Sequence, residues 1–330
     1  MNIREIAKMA GVSTATVSRS LHNKANVSKS TKERVLQVVR EYRYQLTPPG
    51  KRYAVDSNSI GLILPDITNP FFPDIARGVE DAAHASGFSV VLCNSDNQQE
   101  IEENYIRLLT DQGACGLIVI SSGNFLANAK HDVTVPVVLC DRLTSSSPFS
   151  SVATNHFLAA KLAVQHLYEL GHRTLGMIAG SREDERVKGF IQTCKDLKLP
   201  LTEDSIIYGD FGYEYESGLL SMNQMLEKYL PTGLFCANDM IALGAIAAVE
   251  DKGLHVPNDV SVVGYDNILF SGLCKPALTT VEQPTYLLGV TAFEVLVDQL
   301  KTEVEEKLQP EHRVLTPKLI IRNSTGRVSG

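Results

Sequence analysis

Aromatic and forked polar side chains recur just beyond the apolar runs of this 330-residue chain. The run "IGLILPD" is followed by Asn69, Phe71 and Phe72 in "TNPFFPD", where two prolines pen two adjacent rings. Later come Asp141 and Arg142 in "LCDR", Arg186 in "DERVKGF", Phe211 in "YGDFGY", Asn238 and Asp239 in "FCANDM", Asp266 in "VGYDN" and Gln283 in "TVEQP". A small polyhydroxylated ring requires this chemistry: apolar faces for its C–H surfaces, and paired donors and acceptors for its hydroxyls. No G-x-G-x-x-G or G-x-x-x-x-G-K-[ST] follows the first apolar run, and no Ser/His/Asp order or metal-ligand spacing stands out among the eight histidines. The pattern speaks for binding without enzymatic activity, metal or cofactor. His172, in "LGHR", reads as a structural loop residue, and the six scattered cysteines as reduced, buried thiols.

A second chemistry sits at the other end of the chain. Residues 1–60 carry eleven Lys/Arg against four Asp/Glu, a charge of +7, whereas the remaining 270 carry 20 basic and 34 acidic residues, −14. A small basic head on a large acidic body implies that only the head meets a polyanion. Ile3, Ile6, Ala7 and Ala10 recur at helical spacing, Gly11-Val12-Ser13 makes a turn, and a second helix runs Thr14–Leu21 from a cap at Ser13 or Thr14. A third helix starts at the capping box Ser30-x-x-Glu33. Two short helices joined by a glycine turn make a helix-turn-helix, whose second helix enters the major groove of double-stranded DNA. Its exposed residues are Thr14, Ala15, Thr16, Ser18 and Arg19. Arg19 suits guanine, Ala15 and the Thr14 methyl suit thymine, and Ser13 and Ser28 suit phosphates.

The body must hold the first set of residues at strand ends. Strand-like runs occur at Ile60–Leu64, Ser89–Cys93, Gly116–Ile120, Val135–Asp141, Thr174–Ala179, Ile206–Gly209, Gly233–Ala237 and Ser261–Tyr265, with helical segments such as Phe72–Ser86, Glu100–Gln112, Leu158–Leu170 and Ile241–Lys252 between them. Continuous apolar runs suit parallel strands buried on both faces. Two such successions imply two doubly wound α/β halves with one ligand crevice at the strands' carboxyl ends. No run approaches the ~18 apolar residues of a membrane span, and no apolar signal-peptide core follows Met1, so a cytoplasmic protein without membrane association is expected.

The head, "NIREIAKMAGVSTATVSRSLHNKANVSKSTKERVLQVVREYRY", resembles the DNA-binding head of the LacI/GalR family of bacterial transcription regulators, and "AGVSTATVSR" is a specific signature of it. The body is similar to the family's effector domains and to periplasmic sugar-binding proteins of the same fold, through "IGLILPDITNPFFPDIARGVEDAAHASGFSVVLCNSD", "HLYELGHR", "FCANDMIALGA", "VPNDVSVVGYDN" and "PALTTVEQP". The resemblance implies a helix-turn-helix domain at 1–46, a hinge at 47–59, and a periplasmic-binding-protein-like domain at 60–330 that binds sugar and dimerises. Within that domain, 60–153 with 284–316 would form one subdomain and 154–283 with 317–330 the other.

The hinge departs from the family pattern. In place of Pro-Asn and an Ala-Arg-Ser-Leu helix the chain reads Leu46-Thr47-Pro48-Pro49-Gly50-Lys51-Arg52-Tyr53. Pro49 and Gly50 weaken a helix. A short turn forming on DNA would bring Lys51 and Arg52 to phosphates or the minor groove, with Tyr53 as a wedge between bases; a flexible linker without a wedge is the alternative.

The resemblance also narrows the ligand. Ribose-binding members of the fold place Asn-x-Phe-Phe, Asp-Arg, Arg, Phe, Asn, Asp and Gln where this chain has Asn69, Phe71, Phe72, Asp141, Arg142, Arg186, Phe211, Asn238, Asp266 and Gln283. Asn238, Asp266 and Gln283 are common to the family whatever the effector; Phe211 with Asp141 and Arg142 points to ribose. Phe72 is the ring more open to a core-packing reading. The expected protein is a homodimeric repressor of a palindromic operator, released by ribose, with a dimer surface that includes the helix Ile75–Ala85. Alternatives are a catabolite-control type with a phosphocarrier protein as co-regulator, a different sugar or sugar-phosphate effector, and, from another class, a periplasmic sugar receptor; a purine would need ring-edge partners that these residues do not supply.

Overall fold

The computed structural model describes residues 3–21, 28–41, 58–121, 133–141, 148–182, 184–209, 213–301 and 309–328. The chain separates into two compact units, Met1–Asp56 and Ser57–Gly330.

The first unit holds α1 (Ile3–Ala10), α2 (Thr14–Leu21) and α3 (Lys29–Glu41). Ala7, Ala10, Val17 and Val35 close a small core, with Val12 and Val38 packed on it. Gly11 turns the chain between α1 and α2 at φ +63°, a conformation open to glycine at little cost. Ser13 caps α2, its Oγ accepting the Thr16 N–H at 3.2 Å. The cap of α3 differs from the expected box. Lys29 is already helical, so Ser28 takes the cap position and its Oγ accepts the Thr31 N–H at 3.3 Å, leaving Ser30 inside the helix.

The second unit runs β1 (Ser59–Leu64), α4 (Phe71–Ala85), β2 (Ser89–Asn94), α5 (Gln99–Asp111), β3 (Gly116–Val119), β4 (Val137–Cys140) and β5 (Ser150–Thr154). It continues with α6 (His156–Glu169), β6 (Leu175–Ala179), α7 (Glu185–Asp196), β7 (Ile206–Tyr208), α8 (Tyr215–Leu226), β8 (Gly233–Cys236), α9 (Asp239–Asp251) and β9 (Ser261–Asp266). It closes with α10 (Leu269–Leu273), β10 (Thr279–Glu282), α11 (Thr285–Lys301), β11 (His312–Leu315) and β12 (Lys318–Ile320). One sheet has the order β11-β5-β4-β3-β1-β2 and the other β12-β10-β9-β8-β6-β7; every pairing is parallel except β12 on β10. The chain changes sheets after β5, returns through α11 after β10, and leaves again between β11 and β12. The two sheets are therefore joined by strand-end segments and not by one linker.

The apolar runs of β1, β3, β4, β6, β8 and β9 are buried because helices cover both faces of each sheet. Helices α4 and α11 pack on one face of the first sheet; α6 with α7, and α8 with α9, cover the two faces of the second. The α4–α11 crossing depends on two glycines. A Cβ on Gly78 would lie 2.1 Å from the Tyr286 carbonyl oxygen, and one on Gly289 would lie 2.1 Å from that of Ile75.

Candidate functional site

In the head, the hydroxyls of Ser13 and Thr16 are 2.9 Å apart at the start of α2, beside exposed Thr14. The Ser28 hydroxyl is shared with Thr31 at 2.8 Å. The side chains of Ala15, Ser18 and Arg19, and all of Lys51, Arg52 and Tyr53, lie outside the described residues.

In the second unit the strand ends of the two sheets meet. Asp266 ends β9 in a left-handed conformation, φ +111°. Gln283 follows β10, and its Nε2 donates to Asp266 Oδ1 at 2.8 Å. Both are buried, and Gln283 Oε1 has no hydrogen-bond partner among the described residues. Burial pushes the Asp266 carboxyl well above the usual range, the nearby Asp239 adding to the effect and Gln283 opposing it.

Arg186, in the first turn of α7, is a rigid cation. Its Nε lies 3.0 and 2.9 Å from the two oxygens of Asp184, its Nη2 lies 2.7 Å from Oδ2, and its Nη1 donates to the Ala237 carbonyl at 2.6 Å. Burial would lower its pKa, but Asp184 outweighs that and holds it well above the ordinary value. Burial likewise opposes ionisation of Asp184, and Arg186 prevails, leaving that carboxyl below its ordinary value. Asn238 caps α9: its Oδ1 accepts the Ile241 N–H at 2.8 Å, and its Nδ2 donates to the Tyr213 carbonyl at 2.9 Å.

Asp141 follows β4 at φ +64° and stands within electrostatic reach of Asp266 and Tyr265. Asn69 turns the chain into α4, its Oδ1 accepting the Phe71 N–H at 3.1 Å. The two rings divide in the opposite order from the sequence reading. Phe71 is only 5% exposed and belongs to the first sheet's core, whereas Phe72 packs on that core from a half-buried position. Their rings meet edge-on at 5.1 Å and 78°. The first helical residue faces the sheet because α4 starts at Phe71, so the second is the ring left partly accessible. Residues 142 and 211, hence Arg142 and Phe211, lie outside the described residues.

Two residues at this site carry no signal of their own in the sequence. Tyr213 lies against Gly180, where a Cβ would stand 2.2 Å from the ring, and its hydroxyl is 3.5 Å from Arg186 Nη2. A glycine just past a strand, paired with a tyrosine two positions after Phe211, is the only trace of it in the sequence. His156 opens α6, with Nδ1 2.6 Å from the Tyr265 hydroxyl and Nε2 3.3 Å from the Asp141 carbonyl. His172 is structural, its Nε2 donating to the Gly326 carbonyl at 3.0 Å. Among the described residues no His/Cys/Asp/Glu group could hold a metal ion, and no helix is long and apolar enough to cross a membrane.

Comparison with known proteins agrees with this architecture. Residues 2–46 match the model of bacterial regulatory proteins of the lacI family, and residues 164–325 match that of a periplasmic binding protein-like domain. The chain is 35% identical over 332 residues to the HTH-type transcriptional repressor PurR of Yersinia pestis (strain Pestoides F), covering 98% of this chain and 96% of that protein. The lac repressor dimer bound to operator and the anti-inducer ONPF superposes with a TM-score of 0.74 at 28% identity, covering 99% of each chain. A LacI family transcriptional regulator from Enterococcus faecium with bound ribose gives 0.71 at 30% identity, over 82% of this chain and 100% of that one.

Proposed function

The chain belongs to the LacI family of bacterial regulatory proteins, DNA-binding repressors controlled by small-molecule effectors, and we propose that its effector is ribose. The observation that carries this reading is the pair at the ends of β9 and β10. A buried carboxyl and a buried amide stand side by side, and the amide oxygen lacks a donor among the described residues. A sugar hydroxyl donating to Gln283 Oε1 and a second one shared with Asp266 would satisfy both groups. Asp141, Asn238 and Arg186 ring the same strand ends, Phe72 supplies an apolar face with Phe71 behind it, and Asn69, Arg142 and Phe211 complete the set by residue type. The 30%-identical relative with bound ribose supports the same choice.

Ribose bridging the two sheets favours one relative arrangement of them, and only such differential binding shifts the equilibrium that positions two heads on a palindromic operator. The repressor acts as a homodimer in the cytoplasm and is released by the sugar. Helix α4 spends its apolar face on α11 and the first sheet. Beside the outward face of α4, exposed apolar surface for the dimer is offered by Val91 and Leu92 on the edge strand β2, and by Leu269, Phe270 and Leu273 on α10.

Calorimetry of the full chain against ribose, other pentoses, hexoses, sugar phosphates and purine bases tests the effector. Heat with ribose is expected, and heat with another ligand alone would refute ribose. In the head, Arg19→Ala should relax preference at one base pair per half-site by about 1–3 kcal/mol; an equal loss on all sequences would mean a phosphate contact instead.

A further inference from the structure

We propose that His156 is a positioning residue of the effector crevice, a cross-sheet contact that sets how readily the crevice closes. The inference rests on the effector reading above. His156 is the first residue of α6, where the chain has just left the first sheet for the second. Its ring joins the ends of one strand from each sheet. Nδ1 is 2.6 Å from the hydroxyl of Tyr265, near the end of β9, and Nε2 is 3.3 Å from the carbonyl of Asp141, just past β4.

The roles follow from the chemistry of the two partners. A backbone carbonyl only accepts, so Nε2 carries the proton and Nδ1 accepts the Tyr265 hydroxyl. That tautomer requires a neutral ring. Burial depresses the His156 pKa, Arg186 adding to that effect and Asp141 opposing it. Tyr265 is wholly buried, and its hydroxyl meets His156. Asp141 adopts a left-handed backbone, φ +64°, uncommon for a residue with a side chain, and its carbonyl meets the imidazole.

Because the two partners belong to different sheets, both bonds are whole in only one relative arrangement of those sheets. The contact therefore favours that arrangement with or without effector. An effector that binds only there gains apparent affinity in proportion to the fraction of molecules already in it. His156 thus tunes sensitivity without touching the sugar.

The test uses the full chain, ribose as probe, and the variants His156→Ala, Tyr265→Phe and their combination. Each single variant should weaken ribose binding about 5- to 30-fold, and the double variant no further than His156→Ala, since that change removes both bonds of the bridge and Tyr265→Phe one of them. Small-angle scattering of the effector-free His156→Ala protein should show a larger radius of gyration than wild type. Affinity within twofold of wild type for both single variants, losses that multiply in the double, or loss in His156→Ala alone would each overturn the proposal. So would unchanged effector-free scattering. Should wild type bind no ribose, the effector reading fails by itself, and the scattering comparison still decides on His156.

Discussion

Replacing Gln283 by methionine separates what this residue does for folding from what it does for the effector. Methionine keeps the length and flexibility of the side chain and removes both polar ends. In the effector-free protein two effects oppose each other. The Gln283 amide donates to Asp266 Oδ1 at 2.8 Å, a buried bond whose loss leaves that oxygen without its donor at a cost of about 1–3 kcal/mol. Its Oε1 is buried with no partner among the described residues, and removing such an orphan recovers about 1–3 kcal/mol. The two nearly cancel, so Gln283→Met should shift the midpoint of thermal unfolding by no more than about 4 °C, the equivalent of about 1 kcal/mol. Effector binding has no such compensation. A hydroxyl that donates to Oε1 loses its acceptor, and Asp266 loses the donor that orients it. Calorimetry with ribose should show affinity reduced about 10- to 150-fold, the equivalent of about 1.5–3 kcal/mol. Affinity within threefold of wild type would refute the argument that Gln283 faces the effector. A fall of more than about 10 °C in the midpoint would show that the orphan oxygen has a protein partner after all.

Two further predictions concern the frame around the crevice. Gly78→Ala places a methyl 2.1 Å from the Tyr286 carbonyl oxygen, and backbone cannot swing aside as a side chain does, so urea unfolding should show a loss of about 3 kcal/mol or more; Gly272→Ala, with nothing within 4 Å, should change stability by less than about 1 kcal/mol. Asp239 accepts from Ile268 N, Ser271 Oγ and Thr280 Oγ1 at 2.9, 2.6 and 2.5 Å, yet burial raises its pKa from 3.8 to about 6. A pKa raised in the folded state gives stability that is fully present below about pH 3.8 and lost as pH rises through about 6, on the order of 3 kcal/mol in all. The stability gap between wild type and Asp239→Asn should therefore narrow between about pH 4 and pH 7; a gap independent of pH would mean that Asp239 does not titrate there.

Where strands were legible, burial on both faces had written them as continuous apolar runs, as in Ile60–Leu64 and Ser261–Tyr265. Strand β5 escaped because it reads "SSVAT", and its serines are buried with partners from elsewhere in the chain. Ser150 Oγ accepts from Gln299 Nε2 and from the Glu311 N–H, and Ser151 meets His312. No local pattern announces partners some 150 residues away. Strands β10, β11 and β12 are short and lie at the edge of their sheet or next to it, where apolar runs are not required. The same limit applied at the crevice. Asn238, Asp266 and Gln283 sit in motifs that show in the sequence, but His156 owes its role to Tyr265, 109 residues later, and to a carbonyl, which no residue type encodes. The order of the two phenylalanines depended on where α4 begins, a boundary that the repeated Phe could not mark.

Matching residue types also overstates how many groups discriminate between ligands. Asn238 spends its oxygen on a helix cap and one amide hydrogen on Tyr213. Arg186 spends most of its donors on Asp184 and Ala237, so both serve first as frame. The charge balance then bears on the sugar-phosphate alternative. A phosphate carries close to two negative charges and needs cations that are not already neutralised. The Asp184 carboxylate lies 2.7 Å from Arg186 and cancels its charge at close range, and Asp141 stands at the same strand ends, whereas burial holds Asp266 toward its neutral form. Bringing a phosphate there sets like charge against like in a buried setting where water screens little. A neutral sugar would meet no such opposition, because its hydroxyls would donate to Asp141, Asp266 and Gln283 Oε1. Ribose 5-phosphate should accordingly bind at least about tenfold more weakly than ribose in the same calorimeter, and equal affinity would mean that Arg142, outside the described residues, supplies the free cation that Arg186 does not.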